Sequence, residues 1–321
     1  MKKSIKFVNQ YKINDYFYGE NYYYSLPKYK NIMIDFIKQY QSIFNFKYFV
    51  IEALKEDVGD GDHTSLSIIP KTKKGTMQLL VKENGIIAGV FAAQKIFKLI
   101  DKKIKVSIFI HDGEKVRKGD IVFIVEGNIQ KLLTAERLIL NIMQRMSGIA
   151  TKTFFLKNLC KGSKALLLDT RKTTPGFRFF EKWAVMIGGG INHRFGLFDK
   201  ILIKDNHIDF AGGINQAIDN AKKYLKENKK KLDIEIEART IDDVKKIITH
   251  GGIQRIMLDN FSPKQTKQAV KLINSLYEVE SSGGISEKNI NLYARCGVDF
   301  ISVGCLTHHI KSLDLSLKAI K

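Results

Sequence analysis

The sequence predicts an α/β protein of two domains, a mixed and largely antiparallel region followed by an incomplete or irregular parallel α/β barrel. Three observations carry this. The chain has 321 residues, 44% apolar and 27% charged, an ordinary globular composition and long enough for two cores of about 150 residues each. Between about 64 and 131, short aliphatic runs are punctuated by turn residues, the rhythm of strands joined by tight turns. From 166 onward such runs alternate with helical stretches, the rhythm of βαβ units and a parallel sheet.

Residues 1–45 are read as an extension rich in Tyr, Asn and Lys, with Tyr22-Tyr23-Tyr24 and Pro27, and no function is assigned to them. Within it, Met33, Phe36, Ile37 and Tyr40 are spaced for one face of a helix. The first domain is placed over 46–148. A helix over 49–55 runs into the acidic turn Glu56 to Asp62, and strands follow over 77–82, 86–90, 106–110 and 121–125. Asn84-Gly85, Asp112-Gly113 and Lys118-Gly119-Asp120 supply the turns, 91–100 is an interposed helix, and Thr134 is expected to cap a long helix reaching about Met146.

The second domain is placed over 149–310, and 311–321 is a tail that could return to the first. Strands are expected over 166–168, 201–203, 234–236, 255–258, 277–279 and 300–303, and helices over 213–226, 241–249, 263–275 and 286–296. Each strand ends in polar or glycine residues: Asp169 to Lys172, Lys204, Glu237, Asp259, Ser282 to Gly284, and Gly304. The last four ends are 22, 23 and 22 residues apart. A barrel gathers such carboxyl ends on one face, where its chemistry sits. Six strands rather than eight argue for an incomplete barrel.

Several classes are excluded. No apolar run approaches the roughly 18 residues of a membrane span, and no apolar stretch follows Met1-Lys2-Lys3 as a secretory signal requires. Cys160, Cys296 and Cys305 are odd in number and widely spaced, which argues against a disulfide framework and for the reducing cytoplasm. With 53 basic and 33 acidic residues the net charge is +20, which admits nucleic acid, an anionic surface or an anionic small substrate. Lys enrichment throughout the chain accounts for most of that excess. A nucleic-acid binder would show a basic stripe with aromatic platforms, whereas the cations of interest sit at strand ends, so no nucleic-acid partner is expected.

The densest chemistry is Asp169 to Gly176, DTRKTTPG, which sets Thr170, Arg171 and Lys172 at a strand end before Pro175-Gly176 turn the chain. Arg presents a planar fork for carboxylate or phosphate and Lys a point charge; a solvated basic loop would read the same way. GGGINHRFGLFD places His193 and Arg194 after three glycines, KDNH begins with Lys204, and Arg145 lies near the end of the preceding helix. Glu237 and Asp259 are the acidic counterparts, suited to sugar hydroxyls, developing positive charge or a magnesium ion, or else to salt bridges with Lys172 or Lys204. Ser282, Gly283 and Gly304 offer backbone N–H groups to phosphate. So many cations in one cleft repel one another, and a polyanionic ligand would offset that cost. Asp57, Asp60 and Asp62 lack calcium-loop spacing, and Cys305, His308 and His309 lack a second pair of zinc ligands.

The ordered series EDVGDGDHTS, LTAERLILNIMQRMSGIAT, DTRKTTPGFR, EKWAVMIGGGINHRFGLFDKILIKDNHI, IEIEA, IMLDNF, ESSGGIS and ISVGCLTH closely resembles the quinolinate phosphoribosyltransferase family, from about Glu56 to about His308. The resemblance implies an N-terminal α/β sandwich domain and an irregular, about seven-stranded α/β barrel. It implies transfer of phosphoribose from phosphoribosyl pyrophosphate to quinolinate with decarboxylation, using magnesium, in NAD biosynthesis. It implies that Arg145, Arg171, His193, Arg194, Lys172 and Lys204 grip carboxylates and phosphates. Glu237 and Asp259 would hold ribose hydroxyls and magnesium, directly or indirectly, and Ser282, Gly283 and Gly304 would seat the 5′-phosphate. It further implies a homodimer or hexamer in which Arg145 serves the neighbouring subunit's site. A related group linked to molybdenum transport shares the TRK and HR elements but lacks KDNH, which is intact here. Trp183, Cys296 and Cys305 stand where the family commonly has Tyr, Thr and Ala.

Overall fold

A computed structural model describes Phe36, Tyr40 and residues 42–320. Phe36 and Tyr40 are helical and buried, with ring centroids 5.0 Å apart; the rest of the helix expected from Met33 lies outside the described residues. The chain divides into two compact units, Met1–Thr151 with Lys311–Lys321, and Lys152–Ile310.

The first unit opens with helices α1 (Phe46–Val58) and α2 (His63–Ile68), so α1 absorbs part of the expected acidic turn. Its main sheet comprises β1 (Lys74–Val81), β3 (Lys105–Ile108), β5 (Ile121–Asn128) and β12 (Leu315–Ala319), in the antiparallel order β12-β1-β5-β3. Helix α3 (Val90–Ile100) buries Val90, Phe91, Ala93, Ile96 and Phe97 at helical spacing, and Phe97 meets Phe123 of β5 edge-on. The strand expected over 86–90 shrinks to β2 (Gly85–Ile86), paired with β4 (Lys115–Val116). The cause is Gly89, whose φ of +92° turns the chain into α3 where a Cβ would lie 3.2 Å from Met143.

Thr134 caps nothing. Helix α4 runs over 31 residues, Ile129–Leu159, and Asn128 accepts the Lys131 N–H at its start. Thr134 lies inside, its hydroxyl donating to the Gln130 carbonyl at 2.8 Å. The buried stripe through Ile149 and Leu156 carries the helix past Met146.

In the second unit β6 (Leu166–Leu168), β7 (Ile201–Ile203), β8 (Ile234–Ala238), β9 (Arg255–Asp259), β10 (Glu278–Ser282) and β11 (Phe300–Ser302) form a parallel sheet in the order β6-β11-β10-β9-β8-β7. The expected seventh strand is a single bridge, Ile191 beside Leu168. Helices α7 (Ile214–Glu227), α8 (Ile241–His250) and α9 (Pro263–Ile273) fall where periodicity puts them, α9 stopping at Asn274 in a left-handed conformation. The helix expected over 286–296 is only α10 (Ile290–Ala294). Two helices were not foreseen, α5 (Arg178–Ile187), which buries Trp183 against Phe179, and α6 (Asp205–Ala211).

The sheet is wrapped. His193, two residues beyond the Ile191 bridge, would lie five strand spacings from β8 in a flat sheet, about 24 Å. Its Nε2 is instead 3.2 Å from Glu235 of β8 and 3.5 Å from Glu280 of β10. Register explains which side chains meet inside. Glu235, Arg255 and Glu278 pair across β8, β9 and β10, and two residues further on so do Glu237, Met257 and Glu280, then Asp259 and Ser282. With a side-chain period of two, all point to one face. The lower layer is an ionic network, largely buried but with Glu278 exposed. Arg255 reaches Glu280 at 3.1 Å and Glu278 at 2.8 Å, and Lys200 lies 3.4 Å from Glu235.

Burial and the charge of Glu235 hold the Glu280 carboxyl well above the usual range. Although burial opposes its charge, Glu235 is held down to about 2 by His193, Lys200 and Arg255. Their unequal surroundings thus favour the anion at Glu235 and disfavour it at Glu280. A carboxyl raised above its unfolded value of 4.5 destabilises the fold as pH rises through that value, because only the unfolded chain can then ionise freely. Glu280→Gln removes that cost. Denaturant unfolding should show the variant and the parent equally stable near pH 4, with the variant gaining toward neutrality by at most about 1.4 kcal/mol per pH unit; parallel pH profiles would contradict this. Thr134→Ala should change stability by less than about 0.5 kcal/mol, against the loss of about 1 kcal/mol expected of a removed cap.

Candidate active site

The residues following each strand of the wrapped sheet build one rim. After β6, Asp169 turns inward and is fully buried, with Lys182 Nζ of α5 2.5 Å away. Lys182 also donates to the His193 carbonyl, and Asp169 accepts the His193 N–H at 2.8 Å. Burial pushes Asp169 up to about 6 against the pull of Lys182, and burial likewise lowers Lys182. This pair ties the DTRK loop to the GGGINHR segment. The far end of the loop is pinned by Glu181, which accepts from the Thr174 N–H and hydroxyl, and by Arg178, which donates to Thr173 and to the Phe195 carbonyl. Between these anchors Thr170 is half-buried, and Arg171 and Lys172 are exposed.

Lys172 lies across the end of neighbouring β11. Its carbonyl accepts the Thr307 hydroxyl at 2.7 Å, and its side-chain stem passes 3.3 Å from where a Cβ on Gly304 would be. Glycine at 304 leaves room for that lysine and for the His308 ring, which would lie 3.1 Å from the same Cβ. Arg194 is half-buried, and burial followed by the charge of Arg171 lowers its guanidinium from the ordinary value. Two cations therefore face the same space.

On the other side of the rim, Lys204 begins α6 and its Nζ is 2.7 Å from Glu237 Oε1, while Glu237 Oε2 accepts the Asp205 N–H. Burial, then the charge of Glu237, raises Asp259 above the usual carboxylate range. Asp259 pairs in register with Ser282, and Gly283 follows with φ of +85°. The expected salt bridge to Lys204 is thus present at Glu237, with no exclusion of a chemical role for either group.

Lys204, Glu237, Asp259 and Ser282 come together, as do Arg171 with Arg194 and Lys172 with Gly304. One predicted site residue has its ring turned inward. The His193 ring is buried, its Nδ1 accepting the Arg194 N–H at 2.7 Å and its Nε2 facing Glu235 and Glu280. Both ring nitrogens thereby have partners inside the protein. Arg145 is half-buried on α4 within the first unit. The sequence reading missed Lys182, Glu181, Glu235, Arg255 and Glu280. The alternation in IEIEA was the available signal, since two Glu at a spacing of two must face one side of a strand.

Among the described residues, His193, Glu235 and Glu280 are the one group of three or more possible metal ligands, their atoms within 4.8 Å of one another. Arg255 and Lys200 already supply that cluster's positive charge. Asp57, Asp60 and Asp62 form no such group; Asp62 caps α2 by accepting the Ser65 N–H. Cys160, Cys296 and Cys305 are free thiols, and no described helix is long and apolar enough to cross a membrane. An arrangement with four cations above two carboxylates can bind polyanions while stabilising positive charge that develops between them.

Residues 62–147 match the N-terminal domain model of quinolinate phosphoribosyl transferase, and 149–318 match its C-terminal domain model. The chain is 44% identical over 282 residues to a mitochondrial quinolinate phosphoribosyltransferase [decarboxylating] of Nicotiana tabacum, covering 83% of this chain and 80% of that one. It is 39% identical to a probable nicotinate-nucleotide pyrophosphorylase [carboxylating] of Bacillus subtilis, covering 82% and 89%. The nicotinate-nucleotide pyrophosphorylase structure from Francisella tularensis superposes with a TM-score of 0.80 at 40% identity, covering 86% and 96%. Two domain models in the right order, and identities of this size over most of both chains, place the protein in the quinolinate phosphoribosyltransferase family.

Proposed function

We propose that the protein transfers phosphoribose from phosphoribosyl pyrophosphate to the ring nitrogen of quinolinate and releases carbon dioxide and pyrophosphate, giving nicotinate mononucleotide for NAD synthesis. The observation that carries this is the rim itself: Arg171, Lys172, Arg194 and Lys204 on strand-end loops, with Glu237 and Asp259 among them. Both substrates are polyanions, and the half-buried Arg194 attracts an anion more strongly than it would in water. Arg171 and Arg194 suit the two quinolinate carboxylates, which their planar forks can engage in pairs. Lys172 beside Gly304, with Ser282 and Gly283, suits phosphate.

The pyridine nitrogen attacks the anomeric carbon directly as pyrophosphate leaves, so no general base is required in that step. Positive charge grows on the ribose ring, and Glu237 and Asp259 stabilise it. The pyridinium so formed stabilises the electron pair left on the ring carbon when the carboxylate beside nitrogen departs as carbon dioxide, and that carbon then takes a proton from water.

Glu237 and Asp259 also fit magnesium. Magnesium takes one or two carboxylates and completes its shell with substrate phosphates and water. Asp259 is half-exposed and raised by burial and by Glu237, a repulsion that a divalent cation would relieve. When bound, the ion neutralises charge on the departing pyrophosphate.

A second copy of the chain as partner is supported by the resemblance, which assigns Arg145 to a neighbouring subunit's site in a homodimer or hexamer. Free thiols at Cys160, Cys296 and Cys305 support a reducing compartment such as the cytoplasm; the mitochondrial and chloroplastic names of plant relatives describe those proteins.

Purified protein should release labelled carbon dioxide from quinolinate only with phosphoribosyl pyrophosphate and magnesium present. Turnover of nicotinate without turnover of quinolinate would overturn the substrate assignment. Lys172→Ala should lower kcat/KM by about 100-fold or more while leaving the circular dichroism spectrum unchanged; near-parental rates would remove Lys172 from the site.

A further inference from the structure

Asn260 directly follows β9 with φ of +57°, a left-handed backbone that few non-glycine residues adopt. Strain of this kind persists only where the surroundings hold it. Three contacts do so. The Asn260 N–H donates to the Ser282 carbonyl at 2.9 Å, linking the ends of β9 and β10. Its side-chain Nδ2 donates to Asp259 Oδ2 at 2.8 Å. Its Oδ1 presses against Gly283 so closely that a Cβ there would lie 2.2 Å from it. Gly283 has φ of +85° and Gly284 +61°, so the turn after β10 is itself shaped to receive this side chain. One residue thus touches the carboxylate on one strand and the phosphate-sized turn on the next.

We infer that Asn260 is a positioning residue that fixes Asp259 relative to the Ser282-Gly283-Gly284 turn, and so sets the site to the length of a ribose 5-phosphate. The inference rests on the proposed assignment of Asp259 to the ribose and of the turn to the 5′-phosphate. A carboxylate left without the Asn260 amide can rotate toward Lys204, whose charge attracts it, and away from Glu237, whose charge repels it. A ligand that spans both subsites then meets them at the wrong separation. Quinolinate, gripped by Arg171 and Arg194, spans neither.

Asn260→Gly is the discriminating variant, because glycine keeps the left-handed backbone and the N–H while removing both side-chain contacts. Calorimetric titration with phosphoribosyl pyrophosphate and, separately, with quinolinate reads the effect without turnover. The expected result is about tenfold weaker binding of phosphoribosyl pyrophosphate, roughly 1.4 kcal/mol, with quinolinate affinity and melting temperature unchanged. In an Asp259→Ala background, Asn260→Gly should weaken phosphoribosyl pyrophosphate by less than threefold more, since its route through Asp259 is gone. Equal weakening of both ligands with a lower melting temperature would mean a merely structural asparagine. Unchanged phosphoribosyl pyrophosphate affinity, or full additivity with Asp259→Ala, would also overturn the inference. A parent protein that binds phosphoribosyl pyrophosphate, shows the selective loss and yet leaves quinolinate unconverted would overturn the proposed reaction and leave this inference standing.

Discussion

A buried imidazole held between two glutamates closes the second unit where strand pairing does not. His193 reaches from the β6 edge to Glu235 on β8 and Glu280 on β10, and Arg255 and Lys200 balance the charge. An apolar core of the same volume would be as stable or more so, because desolvating charges costs much of what their attraction returns. Charge instead supplies direction. Nε2 of the ring faces Glu235 and Glu280, and Nδ1 accepts the Arg194 N–H. The backbone that carries Arg194 is therefore held from beneath by buried groups.

The Asp169–Lys182 pair performs the matching task on the other loop. It is fully buried, and it joins the strand end that carries Arg171 and Lys172 to the segment that carries Arg194. Losing either partner would leave an uncompensated buried charge, at a cost of about 3–5 kcal/mol. Two cationic loops that repel each other are thus held in place by oppositely charged residues one layer down. Their mutual repulsion is left for a polyanionic ligand to relieve, which suits a site that must bind two anions at once.

On the acidic side the same economy of contacts recurs. Glu237 is shared between Lys204 and the Asp205 N–H, and Asp259 is held by the Asn260 amide. Both carboxylates are thus oriented by contacts within the protein, without help from a ligand.

Much of this was legible in the order of residues. Alternating strands and helices, polar residues at each strand end and their spacing of 22 to 23 residues follow from local chemistry, and so does the pairing of Lys204 with Glu237, one of the readings those charges allowed. Thr134 and the 86–90 strand were misread because a helix stripe and a close approach to Met143 outweighed local cap and strand signals. The role of His193 could not be read at all. Whether its ring faces a substrate or a glutamate depends on how far the sheet curls, and that is set by packing across strands 40 to 90 residues apart in the chain. Local sequence determines which side chains are available at a strand end; only the wrapped sheet decides which of them are consumed inside and which are left to act.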